Sequence, residues 1–322
     1  MSAPHFGMTF SRPADEPVPV LGADFSKALL VETSADASAA EFPVDTPVRF
    51  STSNSDAVAA LGSGLLADAV KGINAQLDGI NSGADVTVVR VVEGADAPAT
   101  IANIVNIVNS VQDIPSAVNA TPRLVWCGRT AWRADLDTTN PIVAALPAAL
   151  GKILAVSPVD VDDTSSANAI DARETMNSER MMPIGIAARV YEGEDLVTRP
   201  MGPRVIGLFQ RVDNENAGKP FDPIANRAIY GLAGLSRKIP FSLLDGSTEG
   251  QQMLEAAVSV VAEGETGVDG AIADGGFVFI GTDNATTGDL WSQIHQVRGA
   301  DAITVELMQI TRQFLGRKIS AD

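Results

Sequence analysis

The stretch from Asp85 to Gly94, DVTVVRVVEG, is β-branched and almost continuously apolar. A strand with one wet face alternates apolar and polar side chains, whereas one covered on both faces does not. The run therefore predicts a strand of a mostly parallel sheet flanked by helices. Upstream, SKALLVETS (Ser26–Ser34) reads as a buried strand and TPVRFSTS (Thr46–Ser53) as a second, after a turn at Pro43. SDAVAALGSGLLADAVKGINAQ (Ser55–Gln76) is helical in composition with a glycine-marked break. Downstream, Ile101, Ile104, Val105, Ile107, Val108 and Val111 share one side of an amphipathic helix opened by Pro98. Asn103, Asn106 and Asn109 recur at every third position and read as its solvated face.

The alternation continues. RLVWCG (Arg123–Gly128) is a strand, NPIVAALPAALGK (Asn140–Lys152) a helix with a kink at Pro147, and ILAVSPVD (Ile153–Asp160) a strand. ANAIDARETMNSE (Ala167–Glu179) is a helix and PIGIAARVYEG (Pro183–Gly193) one strand. EGQQMLEAAVSVVAEG (Glu249–Gly264) reads as a helix, GGFVFIGTD (Gly275–Asp283) as a strand, and a long helix runs from about Asp289 to Phe314. The expected fold is α/β, a mostly parallel sheet with helices on both faces. Pro4, Pro13, Pro17 and Pro19 make residues 1–24 an extended arm, able to lie on another subunit. Residues 25–118 form an N-terminal α/β part and 119–322 the core, with no separate C-terminal domain expected.

Composition narrows the partners. Hydrophobic residues are 45% and aromatics 5% of 322, so a large core is built mainly from Val, Ile, Leu and Ala. Lys and Arg total 23 against 40 Asp and Glu, a formal charge of −17, which argues against nucleic acid as a partner. Cys127, the single cysteine, sits among apolar neighbours and reads as buried and inert. The N-terminus lacks the pattern of a secretory signal, and no run of about 18 apolar residues occurs. A soluble protein made in a cytoplasm, without membrane insertion, is expected.

Chemistry is scarce. Gly62, Gly64 and Ala67 match G-x-G-x-x-A, with Asp85 downstream, but that dinucleotide pattern needs a strand before it and the preceding residues read as helix. His5 lies in the arm and His295 in the last helix, so no serine-hydrolase triad is in view. Asp160, Asp162 and Asp163 follow a strand end but lack calcium-loop spacing; a helix start capped by Asp163 or Thr164 is the preferred reading. Asp269 and Asp274 read as an acidic loop. No catalytic residue, cofactor or metal site is assigned.

Pro200–Phe241, PMGPRVIGLFQRVDNENAGKPFDPIANRAIYGLAGLSRKIPF, combines an apolar helix ending near Asp213, a polar turn and a Pro- and Asn-punctuated loop. With PIANRAIYG (Pro223–Gly231), Ser236-Arg237, GQQMLEAAV (Gly250–Val258), GGFVFIGT, and Trp291 to Arg298 and Asp301, the chain resembles the tail sheath protein of contractile-tailed bacteriophages and the sheaths of related contractile injection systems. Earlier segments agree: Phe42-Pro43 with the strand and glycine-punctuated helix after it, and Asn140-Pro141 with KILAVSPVD. The likeness runs from about His5 to Arg312 and rests on the order and spacing of segments. This chain departs in reading IGTDNATTG where the family often has Trp-Gly-Asn-Arg-Thr, in carrying Arg298 alone, and in ending at Asp322.

The resemblance implies a core subtilisin-like in topology that is not a protease. It implies a structural subunit, stacked in probably hexameric rings around a tail tube, whose contraction drives the tube through a host envelope. The implied partners are other copies of itself, the tube protein, and baseplate and terminator proteins; the implied place is the virion, after assembly in the host cytoplasm. Candidate intersubunit contacts are Phe6, Met8, Phe10, Val18 and Val20 of the arm, and Arg204, Arg211, Arg227, Arg237 and Arg298 as scarce cations, for which internal salt bridges are the alternative. A nucleotide-binding enzyme using Gly62–Ala67 and a non-contractile virion protein are the competing functions.

Overall fold

A computed structural model describes residues 24–77, 83–288 and 290–312. At its centre lies β1 (Ala28–Thr33), every residue of which is buried. β1 runs parallel to β3 (Asp85–Val91) on one side and to β4 (Leu124–Cys127) on the other, and β2 (Pro47–Ser51) closes the far edge antiparallel to β3. The order is β2-β3-β1-β4. Past β4, a parallel bridge from Leu124 to Val156 leads to the parallel pair β5 (Ser157–Asp160) and β6 (Met181–Ile184). A second parallel bridge, Ile184 to Ser259, leads to β11 (Val260–Glu263), which is antiparallel to β12 (Phe277–Ile280); β12 also pairs with β9 (Arg227–Ala228). A separate antiparallel ribbon joins β7 (Ala188–Glu192) to β8 (Asp195–Arg199) and β10 (Gly234–Leu235). The fold is thus mixed α/β, with a mostly parallel main sheet.

The helices begin where polar side chains satisfy their first N–H groups. Asn54 caps α1 (Ser55–Ala60), Asp96 caps α3 (Ala97–Asn109), Asn140 caps α5 (Pro141–Ile153) and Ser165 caps α6 (Ser166–Glu174). Ser165, not Asp163 or Thr164, is therefore the cap after β5. Asn103 is also more than a solvated face, since its amide donates to the Val92 carbonyl at 2.9 Å. The helices α2 (Leu65–Leu77) and α7 (Gly202–Glu215) pack together, as do α3 and α5. The short α4 (Ile114–Val118) packs on β2.

Three readings of the sequence need correction. The run Pro183–Gly193 is broken into β6 and β7 at Gly185, where a Cβ would lie 2.4 Å from Met253 Cε and 2.7 Å from Val258 Cγ1. There the Gly185 N–H donates to the Ser259 carbonyl at 3.0 Å, and β7 resumes only at Ala188. The run Glu249–Gly264 is helical only through α8 (Glu249–Glu255); Ala257 adopts φ +57°, and the β-branched residues beyond it enter β11. The last helix, α9 (Ile294–Thr311), starts later than Asp289. Strand β8 carried no apolar alternation and was not read at all.

The approach of α2 to α7 depends on Gly207, where an added Cβ would meet Ile73 Cα and its carbonyl oxygen at 2.8 Å. Backbone cannot yield as a side chain can. Gly207→Val should lower stability by about 1–3 kcal/mol, whereas Gly151→Ala in α5, where nothing lies within 4 Å, should raise it by about 0.5–1 kcal/mol. Denaturant midpoints of the two variants check both signs.

Candidate assembly site

The segment singled out in the sequence is the mechanical centre of the molecule. Helix α7 lacks a side-chain cap of its own, and Asp160, at the end of β5, supplies one. Its Oδ1 accepts from the Met201 and Gly202 N–H groups at 2.9 and 2.8 Å, and its Oδ2 from Trp126 Nε1 at 2.8 Å. Burial pushes the Asp160 carboxyl up from its ordinary pKa, and those three donors oppose the shift. One turn on, the buried Arg204 guanidinium grips the Asp68 carboxylate of α2 at 2.8 and 3.1 Å. At the other end of α7, Arg298 of α9 grips Asp213 at 3.0 and 2.5 Å, donates to the Phe25 carbonyl at 3.3 Å, and stacks 4.6 Å over Phe209. Arg180, just before β6, holds Asp301 of α9 bidentately. Burial pushes Asp213 up and the Arg298 charge opposes it.

The arginines expected at subunit contacts are all engaged within the chain. Arg204 and Arg298 are only 2% and 1% exposed, so neither can reach a neighbouring subunit from where it sits. Their carboxylate partners are internal because both helices bring them there. Arg211 lies over the Tyr230 ring at 4.6 Å and donates to the Ala228 carbonyl. Arg237 ties the Glu249 carboxylate of α8 to the Asp163 carbonyl. Arg227 has 42% of its side chain exposed and Glu215 at 3.4 Å. Phe6, Met8, Phe10, Val18 and Val20 lie outside the described residues, as does His5. Sequence reasoning missed the pairing roles of Asp68 and Asp213; for Asp68 a signal was available, since it is a lone carboxylate in the apolar run LLADAV, whereas Asp213 lies in the polar end of α7 beside Asn214 and Glu215.

The C-terminal edge of the parallel strands, where α/β folds place their ligand sites, serves structure here. Glu32, one residue before the end of β1, has one oxygen accepting from Thr33 and from Arg129 Nε, and the other pressed against Gly128, where a Cβ would lie 1.5 Å away. The Gly62–Ala67 pattern follows α1 rather than a strand, and the Asp36 carboxylate takes the Ser63 N–H and hydroxyl at 2.8 and 2.6 Å. That leaves an acidic side chain where a phosphate would need to sit. A polar cavity of about 330 Å³ beside it holds Lys71 and the closed Asp68–Arg204 pair. Asp162 folds back on Thr164 and Asn168. Among the described residues, no three His, Cys, Asp or Glu side chains converge to hold a metal. Cys127 is buried, and burial followed by the Glu32 charge pushes its thiol up, away from nucleophilicity. Burial followed by the Arg298 charge lowers the His295 pKa.

No protein-family model and no curated protein matches the sequence. Solved structures do match in fold. The helical sheath of the anti-feeding prophage (AFP) in its contracted state aligns over 99% of this chain and 79% of its own, at TM-score 0.65 and 15% identity. This chain has a contractile-sheath fold. A chain of the AFP baseplate aligns at TM-score 0.63 and 12% identity, over 99% of this chain and 79% of its own. The contracted sheath complex of an extracellular contractile injection system, PVC, aligns at 0.62 and 11%, over 99% and 78%. No helix among the described residues is long and apolar enough to cross a membrane.

Several apolar side chains stand exposed on the outer surface. Tyr191 projects from the β7–β8 ribbon, Leu243 and Leu244 from the loop before α8, and Ile303, Leu307 and Met308 from α9. Beneath them the ion pairs hold the elements in register. Removing one partner of a buried pair strands a charge, so Asp213→Ala should cost about 3–5 kcal/mol. The double variant Asp213→Leu/Arg298→Met should recover most of that loss. Chemical denaturation of the three proteins checks the order.

Proposed function

We propose that this chain is the structural subunit of a contractile tail sheath, polymerising as stacked hexameric rings around a tail tube and contracting to drive that tube through a host envelope. The observation that carries the reading is the 99% coverage of the chain by the fold of a contracted helical sheath. The absence of any assembled catalytic group among the described residues is compatible with it, and the clamped core suits a body that moves rigidly between two polymer states. Energy for such a change is held in subunit contacts and needs no nucleotide. The tube, baseplate and terminator proteins are its expected partners, and the virion or an equivalent injection particle its place of work.

Two features of the chain shape assembly. A subunit charge of −17 makes neighbours repel, so added salt should favour polymer by screening. Arg227, with 42% of its side chain exposed, is well placed to meet a neighbour's carboxylate. Negative-stain electron microscopy of the purified chain should show rings or tubes that increase with salt, and Arg227→Glu should reduce them. A monomer under all conditions, with tube and baseplate partners supplied, would overturn the reading.

A further inference from the structure

Phe25, the second described residue, is 1% exposed and forms a small satellite core with Ala302 and Val305 of α9, against which Leu154 packs. The Arg123 guanidinium lies 4.8 Å over its ring and donates to the Ile153 and Leu154 carbonyls. Leu154, Val305 and Arg123 of this cluster line an open groove of about 570 Å³ between the last turns of α9 and the α5–β5 turn. Val305, Met308, Leu154 and Pro115 give the groove an apolar floor, and Arg123, Lys152 and Arg312 stand on its border. Met308 is 58% exposed. None of the three has a carboxylate within 4.0 Å among the described residues, and the acidic group acting on Arg123, Asp301, is held by Arg180. An apolar floor bordered by three cations without an ion-pair partner calls for an apolar segment carrying acids.

We propose that this groove docks the chain's own segment Ala14–Leu21, ADEPVPVL, folded back within one molecule. Asp15 and Glu16 supply the acids, Val18, Val20 and Leu21 the apolar side chains, and Pro17 and Pro19 an extended backbone that loses little entropy on docking. Reach is no obstacle: the eight residues from Glu16 to Asp24 span up to about 26 Å. Such a short tether sets an effective concentration in the millimolar range. Residues 313–322, the other nearby segment, carry Arg317 and Lys318 and would bring like charge to Arg123 and Lys152. The free subunit thus keeps part of its arm on its own surface until a stronger site competes for it.

Carbodiimide coupling, which joins a carboxylate to an amine only in contact, tests this in dilute full-length chain. Equal amounts of nitrogen-14 and nitrogen-15 protein are mixed before coupling, and the linked peptides are read by mass spectrometry. Lys219–Glu306 at 2.7 Å and Lys238–Glu265 at 2.6 Å are internal positive controls. The expected product is an amide from Asp15 or Glu16 to Lys152 within chains of one isotope. Met308→Asp should reduce its yield several-fold and leave both controls unchanged. Controls without that amide, amides between isotopes (a second copy in the groove), or a link from Lys152 to Asp322 would each overturn the proposal.

Discussion

The bidentate contact between Arg298 and Asp213 fixes where three parts of the chain meet. Arg298 comes from the last helix, Asp213 from the end of α7, and the Phe25 carbonyl that shares the guanidinium from the first described residues. Chain entry, centre and last helix are thereby locked at one point, more than 270 residues apart in sequence at the extremes. Burying two charges is unfavourable unless nearly every donor and acceptor is used; here only Nε of the guanidinium is left without a partner. Arg204–Asp68 repeats the device at the other end of α7, and Asp160 holds the helix N-terminus to β5. Helix α7 is therefore held by polar contacts at both ends and by the glycine-to-backbone approach to α2 along its length. Such contacts contribute less to net stability than to geometry: a slipped helix would strand buried charges.

Much of this was legible beforehand. β1, β3 and β4 announced themselves by unbroken apolar runs, α3 by its periodicity and Pro98 at its start, and α5 by the Asn140-Pro141 opening. The family likeness pointed to the fold that the solved sheaths share. The failures have physical causes. Pro183–Gly193 looks like one strand because nothing local marks Gly185 as a place where Met253 and Val258 leave no room. The Glu249–Gly264 run looks helical because its composition favours helix up to Ala256, and pairing of Val260–Glu263 with β12 overrides it. The arginines looked like surface charges because scarcity in an acidic chain says nothing about depth. What did speak to depth was overlooked: Asp68, flanked by Leu66, Ala67, Ala69 and Val70, has no reason to sit in an apolar helix face except a buried partner.

That misplacement changes the electrostatics of assembly. With Arg204 and Arg298 inside, and Arg180, Arg211 and Arg237 tied to internal partners, the outer surface is poorer in available cations than composition suggests. Internal pairs cancel charge in equal numbers, so the −17 is left to solvent-facing carboxylates. Exposed apolar side chains, Tyr191 and those on the outer side of α9 among them, therefore stand on a surface where free cations are few.

A body held this firmly suits motion as a unit. Shared topology with chains from contracted sheaths, at identities of 11–15%, means the fold tolerates almost complete replacement of its side chains. What must persist is a set of geometric constraints, and in this chain they are visible as particular atoms: a glycine against a helix backbone, a carboxylate on a helix end, two guanidiniums closed on their acids. Each is buried or nearly so and leaves the surface free to vary. The interior resists deformation through these contacts, while the exterior is free to differ from one chain of this fold to the next.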